Sequence, residues 1–130
     1  MLDHLGMPVS DIARSRAFYL QALAPLGYGI ELEFTAEQTG ARAPIGFGAN
    51  GKPSFWLGEG QPAAPIHIAL VAASRAAVDG FHRAALAAGG RDNGAPGLRP
   101  HYHADYYGAF VLDPDGYNIE AVCHALQAGA

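Results

Sequence analysis

Two stretches of the chain lie over one another: "DHLGMPVSDIARSRAFYLQALAPLG" (3–27) and "IHIALVAASRAAVDGFHRAALAAGG" (66–90). At a constant offset of 63 residues His4 falls on His67, Leu5 on Ile68, Met7 on Leu70, Phe18 on Phe81, Leu23 on Leu86 and Gly27 on Gly90. Phe47 falls on Phe110 at the same offset. Matched small apolar residues arise by chance, but a histidine, two phenylalanines and a terminal glycine in one register do not readily do so, and we read the pattern as a duplication. In 130 residues two such copies are small and must share a core. The expected organisation is one domain, 1–130, with a first module of about 1–62 and a second of about 63–126.

Each copy reads alike. A short alternating strand places Leu5, Met7 and Val9 on one face and His4, Gly6 and Pro8 on the other. The second copy repeats this with Ile66, Ile68 and Leu70 opposite His67, Ala69 and Val71. A helix follows, capped by Ser10 or Asp11 in the first copy and by Ser74 in the second. Phe18, Ala22 and Leu23, and likewise Phe81, Ala85 and Leu86, form its apolar stripe. Three further strands are expected in each half: "YGIELEF", "IGFGA" and "SFWLG", then a short stretch near "GRDNG", "YGAFVLD" and "YNIEAVC". The fold class is therefore α+β, a βαβββ unit twice.

Composition removes several function classes. Half the residues are hydrophobic and 15% charged, which argues against disorder. The net charge is −4, Lys52 is the sole lysine, and no basic cluster exists to favour nucleic acid or an anionic membrane as partner. Apolar runs fall short of the roughly 20 residues of a membrane span, and "MLDH" leads straight into the pattern without a secretion signal. Cys123 is the only cysteine, so no intrachain disulfide forms and a reducing cytoplasm is expected.

The last strand carries a carboxylate at its middle. Glu120, Val122 and His124 share one face, and Ile119, Ala121 and Cys123 the other. A buried carboxylate must be protonated, paired with a cation or bound to a metal. If the two sheets curl into a common trough, His4, His67 and Glu120 converge there as a ligand set for a divalent ion with open positions. Against this stands the plainer alternative that each histidine is a hydrogen-bonded structural residue and Glu120 an exposed edge residue. Two histidines in one slot of a repeat favour the ligand reading.

The stretches "DHLGMPVSDIARSRAFYLQALAPLGY", "HIALVAAS" and above all "YYGAFVLDPDGYNIEAVCH" resemble the glyoxalase/bleomycin-resistance/extradiol-dioxygenase group, the vicinal oxygen chelate superfamily. The resemblance spans nearly the whole chain. It implies paired βαβββ modules forming a U-shaped mixed sheet around a central divalent metal, Fe(II), Mn, Zn, Ni or Co, with a small substrate bearing vicinal oxygens. It also implies homodimers, some with strands exchanged so that one site draws on both chains. The ligands map to His4, His67 and Glu120. The fourth family position falls in "GKPSFWLG", where Phe55 or Trp56 stands opposite Glu120 and neither is a ligand; Glu59 lies past the strand's end. A glyoxalase-type proton shuttle uses two facing carboxylates, so this departure counts against methylglyoxal isomerisation. Two histidines and one carboxylate resemble both extradiol dioxygenases and fosfomycin-resistance transferases, which leaves lyase, isomerase and dioxygenase chemistry open. A metal-free binding protein of the bleomycin-resistance kind is the alternative.

"RPHYHADYYGAF" (99–110) gathers histidines and tyrosines just before the penultimate strand. Either a general acid–base group or a surface loop stapled by its own aromatics fits it; His103 and Tyr107, nearest the strand, are the catalytic candidates, ahead of His101. His124 is expected beside the site or in solvent rather than as a ligand, and His82 exposed. "GFGANGKP" (46–53) is not a phosphate loop, because Pro53 replaces the required Ser or Thr and a strand follows. Asn50-Gly51 reads as a hairpin turn; Phe55 and Trp56 read as core by default, with the lining of a ligand pocket as the alternative.

Overall fold

A computed structural model describes residues 1–40, 43–62 and 65–125. The expected module boundary at 62/63 and the module end at 126 touch residues outside this set. In the first module β1 (Leu5–Val9) leads into α1 (Ile12–Ala22), then β2 (Gly29–Glu33), a short α2 (Ala36–Thr39), β3 (Ile45–Ala49) and β4 (Lys52–Glu59). The second holds β5 (His67–Val71), α3 (Arg75–Ala87), β6 (Arg91–Leu98), β7 (Tyr107–Leu112) and β8 (Asn118–Cys123). Each makes a four-stranded mixed sheet, in the orders β1-β4-β3-β2 and β5-β8-β7-β6, so the first and last strands of each module pair in parallel. No helix among the described residues is long and apolar enough to cross a membrane.

Local chemistry sets the element ends. Asp11 caps α1, its carboxylate accepting from the Arg14 N–H at 3.1 Å, while Ser74 caps α3 by accepting from Ala77 N at 3.1 Å. Thr35 and Gln38 form a reciprocal capping box on α2. Asn50 and Gly51 both adopt left-handed backbone, φ 55° and 77°, and close the β3–β4 hairpin. Strand β6 is longer than the expected short stretch; two register shifts against β7 break the alternation that would have revealed it.

The repeat is not exact. Leu23 is buried because α1 ends at Ala22 and the chain folds back on Tyr19. Helix α3 runs on to Ala87, so Leu86 stays on its exposed side and leaves the expected stripe. His82 is also unlike its expectation: its side chain is largely covered, with Nε2 3.0 Å from Asp92 Oδ1.

A single apolar cluster joins both modules. It runs from Met7, Val9, Phe47 and Phe55 of the first sheet through Phe18, Tyr19 and Phe81 of the two helices to Val111, Ile119 and Cys123 of the second. Phe55 is thus core, as expected, but Trp56 is not. The sheet faces carrying His4 and His67 are the ones turned away from this cluster.

Candidate functional site

Strand register decides what stands next to what. Ala69 is level with Glu120 between β5 and β8, and Phe110 is level with it between β7 and β8, so Glu120 lies at the middle of the outer face of the second sheet. It is nevertheless only 1% exposed. His67 Nε2 lies 3.0 Å from Glu120 Oε1, and the Tyr106 hydroxyl donates to Oε2. Gly108 makes room for this contact, since a Cβ there would stand 3.1 Å from Oε2 and 3.2 Å from Tyr106 Cε1. Burial, then the carboxylate as acceptor, push the Tyr106 phenol well above its ordinary range, so it stays a donor.

The His67 tautomer follows from its other nitrogen. Nδ1 is 3.2 Å from the Asn118 carbonyl oxygen, which can only accept, so Nδ1 carries the hydrogen. In the neutral ring Nε2 then points a lone pair at a carboxylate oxygen. Two acceptors face each other there, and only a cation between them, a proton or a metal ion, reconciles the pair. The ring lies against Phe110, centroids 5.9 Å apart, with the Arg99 guanidinium 5.6 Å from the Phe110 centroid. His4 repeats the arrangement in a more open setting: its Nδ1 sits 2.7 Å from Asp3 Oδ2, itself held by Lys52 Nζ at 2.9 Å, and Nε2 has no hydrogen-bond partner among the described residues.

His4 does not join His67 and Glu120 within one chain. Among the described residues no group of three His, Cys, Asp or Glu side chains could hold a metal ion. The reason is the shared core: both outer faces turn away from it, and the helices lie between the sheets. His4 instead edges a groove of about 470 Å³ lined by Gly6, Pro8, Thr39, Pro44 and Trp56. Gly6 is level with Trp56 between β1 and β4, as Ala69 is with Glu120 in the second sheet. Trp56, rather than Phe55, therefore occupies the place of Glu120 in the first module. Phe34 stacks on it at 6.3 Å and 18°, and a Cβ at Gly46 would come within 2.9 Å of its ring. Glu59 is exposed at the end of β4.

The two catalytic candidates lie elsewhere than beside Glu120. Tyr107 faces α3: its hydroxyl donates to Asp79 Oδ1 at 2.6 Å and Arg75 covers its ring at 5.2 Å. His103 stacks on His124 at 4.7 Å, with its Nε2 2.5 Å from His124 Nδ1. The tyrosine that meets Glu120 is Tyr106, which the sequence reading grouped in the loop without selecting it. Alternation would have found it. Ala109 and Val111 are plainly core residues, so 107 shares their side and 106, 108 and 110 share that of Glu120.

Comparisons agree with this architecture. The family model described as Glyoxalase/Bleomycin resistance protein/Dioxygenase superfamily matches residues 1–121. A glyoxalase/bleomycin resistance protein from Albidiferax ferrireducens T118 superposes with a TM-score of 0.72 at 28% identity, over 92% of this chain and 95% of that one. A glyoxalase/bleomycin resistance protein/dioxygenase family enzyme from Burkholderia phytofirmans PsJN shares the fold at TM-score 0.68 and 20% identity, over 95% and 98% of the two chains. A glyoxalase I mutant from Zea mays does so at TM-score 0.71 and 18% identity, over 93% of this chain and 46% of that one. No curated protein matches the chain significantly in sequence. By fold, repeat and family match, the chain belongs to the glyoxalase/bleomycin resistance protein/dioxygenase superfamily.

Proposed function

We propose that the protein is a metal-dependent enzyme in which His67 and Glu120 hold a divalent ion and His4 of a second copy completes the ligand set. The observation that carries this reading is the pair of His67 Nε2 and the buried Glu120 Oε1, 3.0 Å apart, with His67 Nδ1 turned to the Asn118 carbonyl. The donor set fits an ion: both imidazoles have Nδ1 turned to an acceptor, the arrangement that orients metal-ligating histidines, and His67 Nε2 stands 3.0 Å from the second donor, Glu120 Oε1. When bound, such an ion would take two neighbouring oxygens of a small substrate and stabilise the negative charge that develops on them. The chain's own residues do the rest. Phe110 fixes the His67 ring, Asn118 holds its tautomer, and Tyr106 orients Glu120 by donating to Oε2. A second copy is invoked because His4 and Glu120 stand on separate outer faces, and because Val71, on the His67 face, is 67% exposed. Metal analysis of protein purified without chelators tests the reading: one ion per chain is expected, lost in His67→Ala and Glu120→Gln, whereas a metal-free wild type overturns it.

A second reading has its own support. Trp56 replaces a ligand with a flat apolar surface, which suits a metal-free pocket for a planar ring. Trp56 is the only tryptophan, so its fluorescence reports the groove directly. Quenching by 2-naphthol in chelator-treated protein, with affinity lost in Trp56→Ala by calorimetry, would favour sequestration over catalysis. Binding that requires added metal would favour the first reading.

A further inference from the structure

The segment from Arg99 to Tyr106 closes on itself and on β8. Arg99 N donates to the Tyr106 carbonyl at 2.7 Å, Tyr102 N to the Arg99 carbonyl at 2.9 Å, and Tyr106 N to the His103 carbonyl at 3.2 Å. Asp105 N donates to His103 Nδ1 at 3.1 Å. That nitrogen is therefore the acceptor, so the neutral His103 ring carries its hydrogen on Nε2 and donates it to His124 Nδ1. His124 lies just beyond the end of β8, the strand that bears Glu120. Around Tyr106 the rings of Tyr102, His103 and His124 all stand edge-on, with centroids 4.8, 5.6 and 5.2 Å away. The tyrosine is boxed on several sides, and its hydroxyl ends on Glu120 Oε2.

We infer that Tyr106 is a positioning residue that restricts Glu120 to one-oxygen ligation, and that the 99–106 loop, pinned by the His103–His124 contact, is the device that holds it there. This rests on the metal reading above. Oε2 is already committed to the phenol, so only Oε1, beside His67 Nε2, remains for an ion. Removing the hydroxyl leaves a buried oxygen without a donor, and the ion becomes its available partner. The loop therefore sets both the affinity of the site and the number of carboxylate oxygens it offers.

The test uses the full chain, stripped with chelator and dialysed, with Co(II) as the probe of both affinity and coordination. Loss of an oriented outer-shell partner weakens metal binding by about 10- to 100-fold. Tyr106→Phe is expected to shift Co(II) affinity by about that factor and to change the visible absorption of the bound ion, as the freed oxygen enters its coordination. A purely structural role would lower the melting temperature and leave the spectrum of the loaded protein unaltered. His124→Ala, which loosens the loop without touching Glu120, is expected to act in the same direction with a smaller effect. Co(II) affinity within twofold of wild type and an identical spectrum in Tyr106→Phe would overturn the inference; should that variant not fold, unchanged affinity in His124→Ala would overturn it instead. A wild type that takes up no Co(II) is a different failure, that of the metal reading itself, and removes the inference with it.

Discussion

Glu120 shows how much one strand residue can constrain its neighbours. Its two oxygens have separate partners, and the space that lets them meet is a missing side chain at Gly108. Gly108→Ala would place a methyl group between Glu120 and Tyr106, an overpacking that costs about 1–3 kcal/mol. Urea denaturation should record that loss, and a variant as stable as wild type would show that the gap is not needed. Tyr107→Phe makes the contrasting case. It removes a bond to Asp79 on the core side, so stability should fall by about 0.5–1.5 kcal/mol with no change in metal uptake; altered uptake would contradict the assignment of sides. The repeat and the oddity of a carboxylate in an apolar strand single out both histidines and Glu120 in the sequence; the structure brings His67 to Glu120 and leaves His4 apart from them. Tyr106 is hidden in the sequence because it stands in an aromatic-rich loop just before the strand, where alternation with Ala109 and Val111 is the signal that marks its side.

At the scale of elements, the turn between β7 and β8 does more than reverse the chain. Asp113 Oδ1 accepts from Asp115 N and Tyr117 N, each at 2.9 Å, and Oδ2 accepts from the Tyr19 hydroxyl of α1. Asp115 accepts from Ser10 N at 3.1 Å and Ser10 Oγ at 2.5 Å, and the Tyr117 hydroxyl donates to the Pro8 carbonyl at 2.6 Å. The "DPDGY" stretch of the second module is thus stitched to β1 and α1 of the first. Tyr19→Phe leaves Oδ2 buried without its donor, at a cost of about 1–3 kcal/mol; an unchanged denaturation midpoint would show that the stitch carries no stability. Burial raises the Asp113 pKa against its hydrogen bonds. An acid with a raised folded-state pKa adds stability that is full below the unfolded value and is lost as pH rises through the folded one. Asp113→Asn keeps a carbonyl oxygen for the two N–H donors and removes that titration. Wild type should therefore lose stability relative to the variant as pH rises from about 4, and a pH-independent difference would contradict this. The sequence marked the turn but not its cross-module partners, because Tyr19, Ser10 and Pro8 lie about a hundred residues away and no local pattern links them.

For the whole molecule, duplication accounts for the architecture, and its imperfection gives the two outer faces different side chains. The second sheet offers a polar outer face with Glu120, while the first offers Trp56 in the same place, so two like halves supply unlike walls. What the repeat could not reveal is that one chain keeps these walls apart, since the shared core draws both helices between the sheets. If sites form between copies, metal-free His4→Ala and His67→Ala proteins, refolded together, should regain part of the Co(II) binding that each lacks alone. No recovery would argue against a shared site. The central claim, that a cation sits between His67 and Glu120, is tested most directly by anomalous diffraction from crystals of protein purified without chelators. The account predicts a peak about 2.0–2.2 Å from His67 Nε2 and Glu120 Oε1, with His4 of the partner subunit as a further ligand. Those two atoms in direct contact, with no peak between them, would contradict it.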